Sequence, residues 1–126
     1  MFFILRGDIK PYVRMTQRGK YIRVQAREYL ASKDSLAWQM KIQMEQHGWR
    51  MFQKTPLMVS MLFLESRGLH RRDLDNEEKA VLDAANMVVY IDDRWIDAKG
   101  VSLRIRIPNL CEGITLFLVE PWRGNG

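Results

Sequence analysis

Between residues 27 and 47 the chain contains neither glycine nor proline, and Leu36, Met40, Met44 and His47 recur at i, i+4, i+8 and i+11. That spacing predicts one long amphipathic helix, with Gly48 placed to end it as a C-cap and His47 near the negative end of its dipole. A helix with one apolar stripe needs an apolar surface to lie on, and the rest of the chain supplies strands for it. Phe2–Arg6 reads as a first strand, followed by a turn-rich stretch with Gly7, Pro11 and Gly19 and by a short strand at residues 21–24. The apolar run at residues 57–64 follows Pro56 and has strand length.

Residues 76–88 are rich in helix formers, with Asp75 or Asn76 placed as N-cap and Glu77 and Glu78 in the first turn, which predicts a short helix. In residues 101–107, Val101, Leu103, Ile105 and Ile107 alternate with Ser102, Arg104 and Arg106. This predicts a half-buried strand whose apolar side enters the core and whose cationic side faces out. A last strand at residues 114–119 lies between Gly113 and Pro121, and residues 122–126 read as a frayed tail. Irregular alternation of strands and helices, without repeats, linkers or low-complexity segments, predicts a single α+β domain over residues 1–126. Its expected architecture is a mixed sheet of about four strands with one long and one short helix.

Composition narrows the chemistry. Of the 126 residues 47% are apolar and 28% charged, which excludes disordered and collagen-like chains. Cys111 is the one cysteine, so no internal disulfide forms, and it stands far in sequence from His47 and His70, which argues against a zinc site. The apolar run Phe2-Phe3-Ile4-Leu5 stops at Arg6, too short for a signal peptide, and no apolar stretch is long enough to span a membrane. A cytoplasmic location with no membrane partner is the expectation.

Charge is divided unevenly. Residues 1–60 carry 11 Lys+Arg against 4 Asp+Glu, whereas residues 61–126 carry 9 against 11. Arg6, Lys10, Arg14, Arg18, Lys20, Arg23 and Arg27 are opposed only by Asp8 within the first 27 residues. Residues 71–94 hold seven carboxylates: Asp73, Asp75, Glu77, Glu78, Asp83, Asp92 and Asp93. A basic arm beside an acidic knot suits a polyanionic substrate and a metal that acts on it. Solvated surface charge is the plainer alternative.

Within the knot, extended backbone before the helix would put Asp73 and Asp75 on one side, since side chains two apart on a strand point the same way. Asp75, Lys79 and Asp83 fall at i, i+4 and i+8 on the helix, and a return of the chain would bring Asp92 or Asp93 against the first pair. Two carboxylates about 4 Å apart repel by roughly 4 kcal/mol at an effective dielectric of 20. A divalent cation, a raised carboxyl pKa, or ion pairs with Arg71, Arg72 and Lys79 would each offset this. An all-oxygen ligand set favours Mg²⁺ or Mn²⁺.

The run Asp73-Leu74-Asp75-Asn76, then Lys79, Leu82-Asp83-Ala84, Asn86 and Asp92-Asp93 resembles the RusA-like Holliday junction resolvases, small endodeoxyribonucleases common in phages and prophages. Their pattern is D-[LI]-D-N-x-x-K-x-x-x-D followed by a DD pair. Weaker similarity reaches the N-terminus through Gly7, Lys10-Pro11, Arg14 and Tyr29. The chain departs from the pattern at Met87, where a glycine is usual, and at Arg94-Trp95-Ile96.

The resemblance implies a RusA-like α+β homodimer that binds four-way DNA junctions and, with Mg²⁺ or Mn²⁺, cuts symmetrically related strands. It implies Asp73, Asp75 and Asp93 as catalytic metal ligands, with Asp92 the alternative to Asp93, and Lys79 as the catalytic lysine. Lys79 has a plainer role as an ion-pair partner of Asp75 or Asp83, and Asp83 is read as holding Lys79 in place. Lys10, Arg14, Arg18, Lys20, Arg23 and Arg27, on the loop, and Arg71 and Arg72, beside the acidic run, are expected to contact DNA phosphates. The dimer contact is expected on the long helix with Leu36, Met40 and Met44, or on an exposed apolar strand. Two other functions fit the residues: a non-catalytic nucleic-acid-binding module, and a nuclease of the same fold acting on other branched DNA.

Overall fold

The computed structural model describes residues 1–10, 20–68 and 73–124. Four strands, β1 (Phe2–Arg6), β2 (Leu57–Ser66), β3 (Ile96–Ile107) and β4 (Ile114–Pro121), form one sheet in the order β1-β4-β2-β3. Helix α1 (Lys20–His47) leads into β2, and helix α2 (Leu74–Ala85) forms the crossover from β2 to β3, which is why those two strands run parallel. The β1–β4 and β4–β2 pairs are antiparallel, so the sheet is mixed and the protein α+β as expected.

Helix α1 closes as the sequence predicts. Gly48 takes φ +67°, its N–H donates to the Glu45 carbonyl (3.2 Å), and the Trp49 N–H donates to the Met44 carbonyl (2.9 Å). These two bonds make a Schellman cap. Leu36, Met40 and Met44 are buried against Phe3, Leu5, Met61, Phe63, Phe117 and Val119 of the sheet and Ala80, Val81 and Ala84 of α2. Both helices therefore share one core with the same face of the sheet. Among the described residues no helix is long and apolar enough to cross a membrane.

Two expectations are corrected here. Residues 21–24 belong to α1 rather than to a strand. The edge of β1 that such a strand would pair with is occupied by α1 side chains: Gln43 accepts from the Ile4 N–H (3.0 Å) and donates to its carbonyl (2.7 Å), and Gln39 does the same for Arg6 (2.7 and 2.8 Å). With that edge closed, local β propensity is overridden and the helix runs through.

The second correction concerns β3, whose alternation is right and whose faces are reversed. Val101, Leu103 and Ile105 are exposed (58%, 52% and 45%), while Ser102, Arg104 and Arg106 lie on the helix-covered side. Register sets this: Phe63, in the core, pairs with Arg104, and Leu62, on the open face, pairs with Leu103. Gly100 sits where the β2–β3 register shifts, and a β-carbon there would collide with the Ser60 hydroxyl.

Candidate functional site

Helix α2 begins two or three residues earlier than expected. Its N-cap is Asp73, in extended conformation (φ −69°, ψ 131°), because Leu74 packs against the core as the first helical residue. Asp75 is thus inside the first turn, and the strand-like pairing of Asp73 with Asp75 does not occur. The Asp73 side chain makes no capping bond, and its carbonyl accepts the Glu77 N–H (3.3 Å). Asp73 and Asp75 are both exposed, and among the described residues neither is in an ion pair.

One turn further along, Lys79 lines a cavity of about 310 Å³ together with Leu82, Asp83 and Asp93. Asp83 does not hold Lys79. Its carboxylate accepts a short hydrogen bond from the Tyr29 hydroxyl and pairs with Lys33 Nζ (3.3 Å), both on α1. Tyr29 and Lys33 are the site residues that sequence reasoning placed elsewhere or passed over; their i,i+4 spacing marks a shared helix face without naming its partner.

The chain returns to α2 through a turn in which Met87 adopts φ +64°, the left-handed region that a glycine would take without strain. The turn is anchored by Tyr90, which is fully buried and donates to the Leu82 carbonyl (2.7 Å). The Phe52 N–H donates to the Val89 carbonyl (2.8 Å), and the Ile91 N–H to the Phe52 carbonyl (3.0 Å). Burial, followed by the charges of Asp93, Asp83 and Asp92, pushes the Tyr90 hydroxyl pKa up, so it stays protonated.

The acidic pair then divides its roles. Asp92 caps the short 3₁₀ turn Asp93–Trp95 by accepting the Arg94 N–H (3.0 Å), which holds its carboxyl below the ordinary range. Asp93 faces the cavity, where burial, then the hydrogen bond and charge of Asp92, then Asp83, raise its pKa. Asp73, Asp75 and Asp93 are in no ion pair among the described residues, and carboxylate oxygens are the donor type that a hard divalent cation takes. Among the described residues no three carboxylate, histidine or cysteine side chains are drawn together as a closed ligand set.

Of the expected phosphate contacts, Arg14, Arg18, Arg71 and Arg72 lie outside the described residues. Lys20, Arg23 and Arg27 belong to α1, not to a loop; Arg27 is exposed, and Lys10 borders a cleft between β1 and α1.

A sequence model of the family described as endodeoxyribonuclease RusA matches residues 8–109, a stretch that takes in Asp73, Asp75, Lys79 and Asp93. The chain belongs to the RusA family. As a RusA protein it is an endodeoxyribonuclease, and the cavity between α2 and the 3₁₀ turn lies within the matched stretch. No individual curated protein matches it.

Proposed function

We propose that this RusA protein is a metal-dependent resolvase that hydrolyses phosphodiester bonds in symmetrically related strands of four-way DNA junctions. The observation that carries the reading is the family match across the D-L-D-N…K…DD run, together with the cavity shared by Lys79 and Asp93. Asp73, Asp75 and Asp93 would hold Mg²⁺ or Mn²⁺. When bound, the ion supplies Lewis acidity toward the phosphodiester and its attacking water. Lys79, one helical turn from Asp75, presents its ammonium to a non-bridging or leaving oxygen. The cations of the N-terminal arm and of residues 71–72 hold the phosphate backbone, so affinity should fall steeply with salt and vary little with sequence.

Symmetric cutting requires two such centres, and one chain carries one. The open face of the sheet supports a homodimer. Ile4, Leu116, Leu62 and Leu103 form an apolar row across all four strands, with Ile114, Leu64 and Ile105 alongside and Phe2 and Leu118 on the other side. Phe2, Ile4, Leu103 and Ile105 within it are about half exposed, so the apolar surface is contiguous and open to a partner. The alternative contact, α1 through Leu36, Met40 and Met44, is closed because those side chains are buried in the chain's own core.

Cleavage of a four-way junction with Mg²⁺ and in EDTA, beside a panel of flaps and forks, tests the reading. Paired nicks at symmetric positions, only with the ion, are expected. Cutting confined to flaps or forks, or no cutting at all, contradicts it. Light scattering should give a dimer for the parent and a monomer for Leu103→Lys. A monomeric parent that still resolves junctions would remove the dimer.

A further inference from the structure

We propose that Glu77 and Arg104 are positioning residues: their buried ion pair fixes the first turn of α2 so that Asp73 and Asp75 are oriented to receive the divalent ion. This rests on the metal-dependent reading above. Glu77 is fully buried and Glu65 and Arg104 nearly so, with side-chain exposures of 0%, 8% and 11%. Arg104 on β3 reaches Glu77 Oε1 on α2 (3.1 Å) and Glu65 Oε2 on β2 (3.4 Å), so one guanidinium ties the helix to two strands.

The next residue repeats the arrangement. Glu78 accepts from Ser102 Oγ (2.6 Å) and from Lys99 Nζ (3.0 Å), again on β3. Withdrawing ions from water is costly, and apolar side chains of similar volume hold such a contact about as well or better. Stability alone therefore does not account for charges at this contact. Arg104 Nη2 donates to Glu77 Oε1 while its Nε faces Glu65 Oε2, so the planar guanidinium is itself held by β2 and gives the contact a direction, whereas a leucine tolerates rotation and sliding of the helix.

That direction is set at the point where it matters. Glu77 lies two residues after Asp75, and its N–H is bonded to the Asp73 carbonyl (3.3 Å). Turning α2 by one residue would swing both aspartates about 100° around the helix axis. Arg104 and Lys99 face Glu77 and Glu78, whereas Asp73 and Asp75 are exposed and have no ion-pair partner among the described residues.

The test compares Glu77→Leu with Glu77→Gln in the full chain. Mn²⁺ binding is followed by the EPR signal of the free ion, alongside Tm in EDTA and kcat and KM on junction DNA. Arg104 keeps Glu65 as partner in both variants. In Glu77→Leu, Mn²⁺ affinity should fall about tenfold and kcat with it, while KM stays within twofold; Glu77→Gln, which keeps the hydrogen bond, should restore affinity to within threefold. A folded Glu77→Leu with the parent's Mn²⁺ affinity overturns the proposal, as does Glu77→Gln impaired as severely as Glu77→Leu. Should Glu77→Leu fail to fold, Arg104→Lys decides: it keeps the charge and loses the fork, so Mn²⁺ binding should weaken about tenfold, and unchanged binding overturns the proposal. A parent that binds Mn²⁺ but cuts no branched DNA counts against the resolvase reading alone, and one that binds no Mn²⁺ overturns both.

Discussion

The two sides of α2 carry the same kind of charge and treat it differently. On the sheet side Glu77 and Glu78 are buried, and Arg104, Lys99 and Ser102 meet them from β3. On the solvent side Asp73 and Asp75 are exposed and, among the described residues, have no cationic partner. Asp93, in the cavity beside Lys79, is the one of its pair whose pKa is raised, chiefly by burial. Compensation within the chain marks carboxylates that serve the fold; carboxylates left open are those available to a ligand.

Breaking the compensated side should have the largest effect on stability. Arg104→Met removes the cation shared by two buried carboxylates and should lower unfolding stability by about 3–5 kcal/mol, read as a lower urea midpoint with little change in m. A fall below about 1 kcal/mol would mean that the buried charges are matched chiefly by other groups. Between the two sides lies the turn that brings Asp93 back. Met87→Gly relieves a left-handed residue and should stabilise by up to about 1 kcal/mol, the gain being reduced by glycine's greater freedom in the unfolded chain. A destabilised Met87→Gly would show that the exposed Met87 side chain contributes packing.

The smallest effect concerns acid. Burial raises the Glu78 pKa, but the hydrogen bonds from Ser102 and Lys99 and the charge of Lys99 outweigh it and leave the carboxyl below its ordinary value. A group depressed in the folded state contributes stability that is present above the unfolded-state pKa and is lost as pH falls through the folded-state value. Glu78→Gln should therefore be slightly less stable than the parent at neutral pH and lose less between that point and strong acid. Parallel stability–pH curves for the two proteins would contradict this.

How much of this was legible in the chain differs element by element. The face carrying Asp75, Lys79 and Asp83 follows from helix geometry, so the sequence spacing sufficed for it, and the glycine that ends α1 was equally readable. The side of β3 that is covered was not, because a period of two says that faces alternate and leaves open which one meets a helix. That choice is made by register with β2 and by the glutamates of α2, which lie more than 20 residues earlier in the chain than their β3 partners (|i−j| 21–27). Helix spacing pairs Asp83 with Lys79, but its partners Tyr29 and Lys33 come from α1, and the Tyr29 contact spans 54 positions. The strand expected at residues 21–24 failed for the same kind of reason, since Gln39 and Gln43 close the edge it needed.

The most direct test of the contrast is the melting temperature of the parent and of Asp75→Asn, each in EDTA and with saturating Mg²⁺. Asn keeps the size of Asp and removes one of the open charges. If Asp73, Asp75 and Asp93 form an ion site, the variant should melt above the parent in EDTA, gain little from Mg²⁺ where the parent gains several degrees, and bind junction DNA without cutting it. An Asp75→Asn protein that melts below the parent in EDTA, keeps the full Mg²⁺ shift and still cleaves would make Asp75 a structural charge and contradict the account.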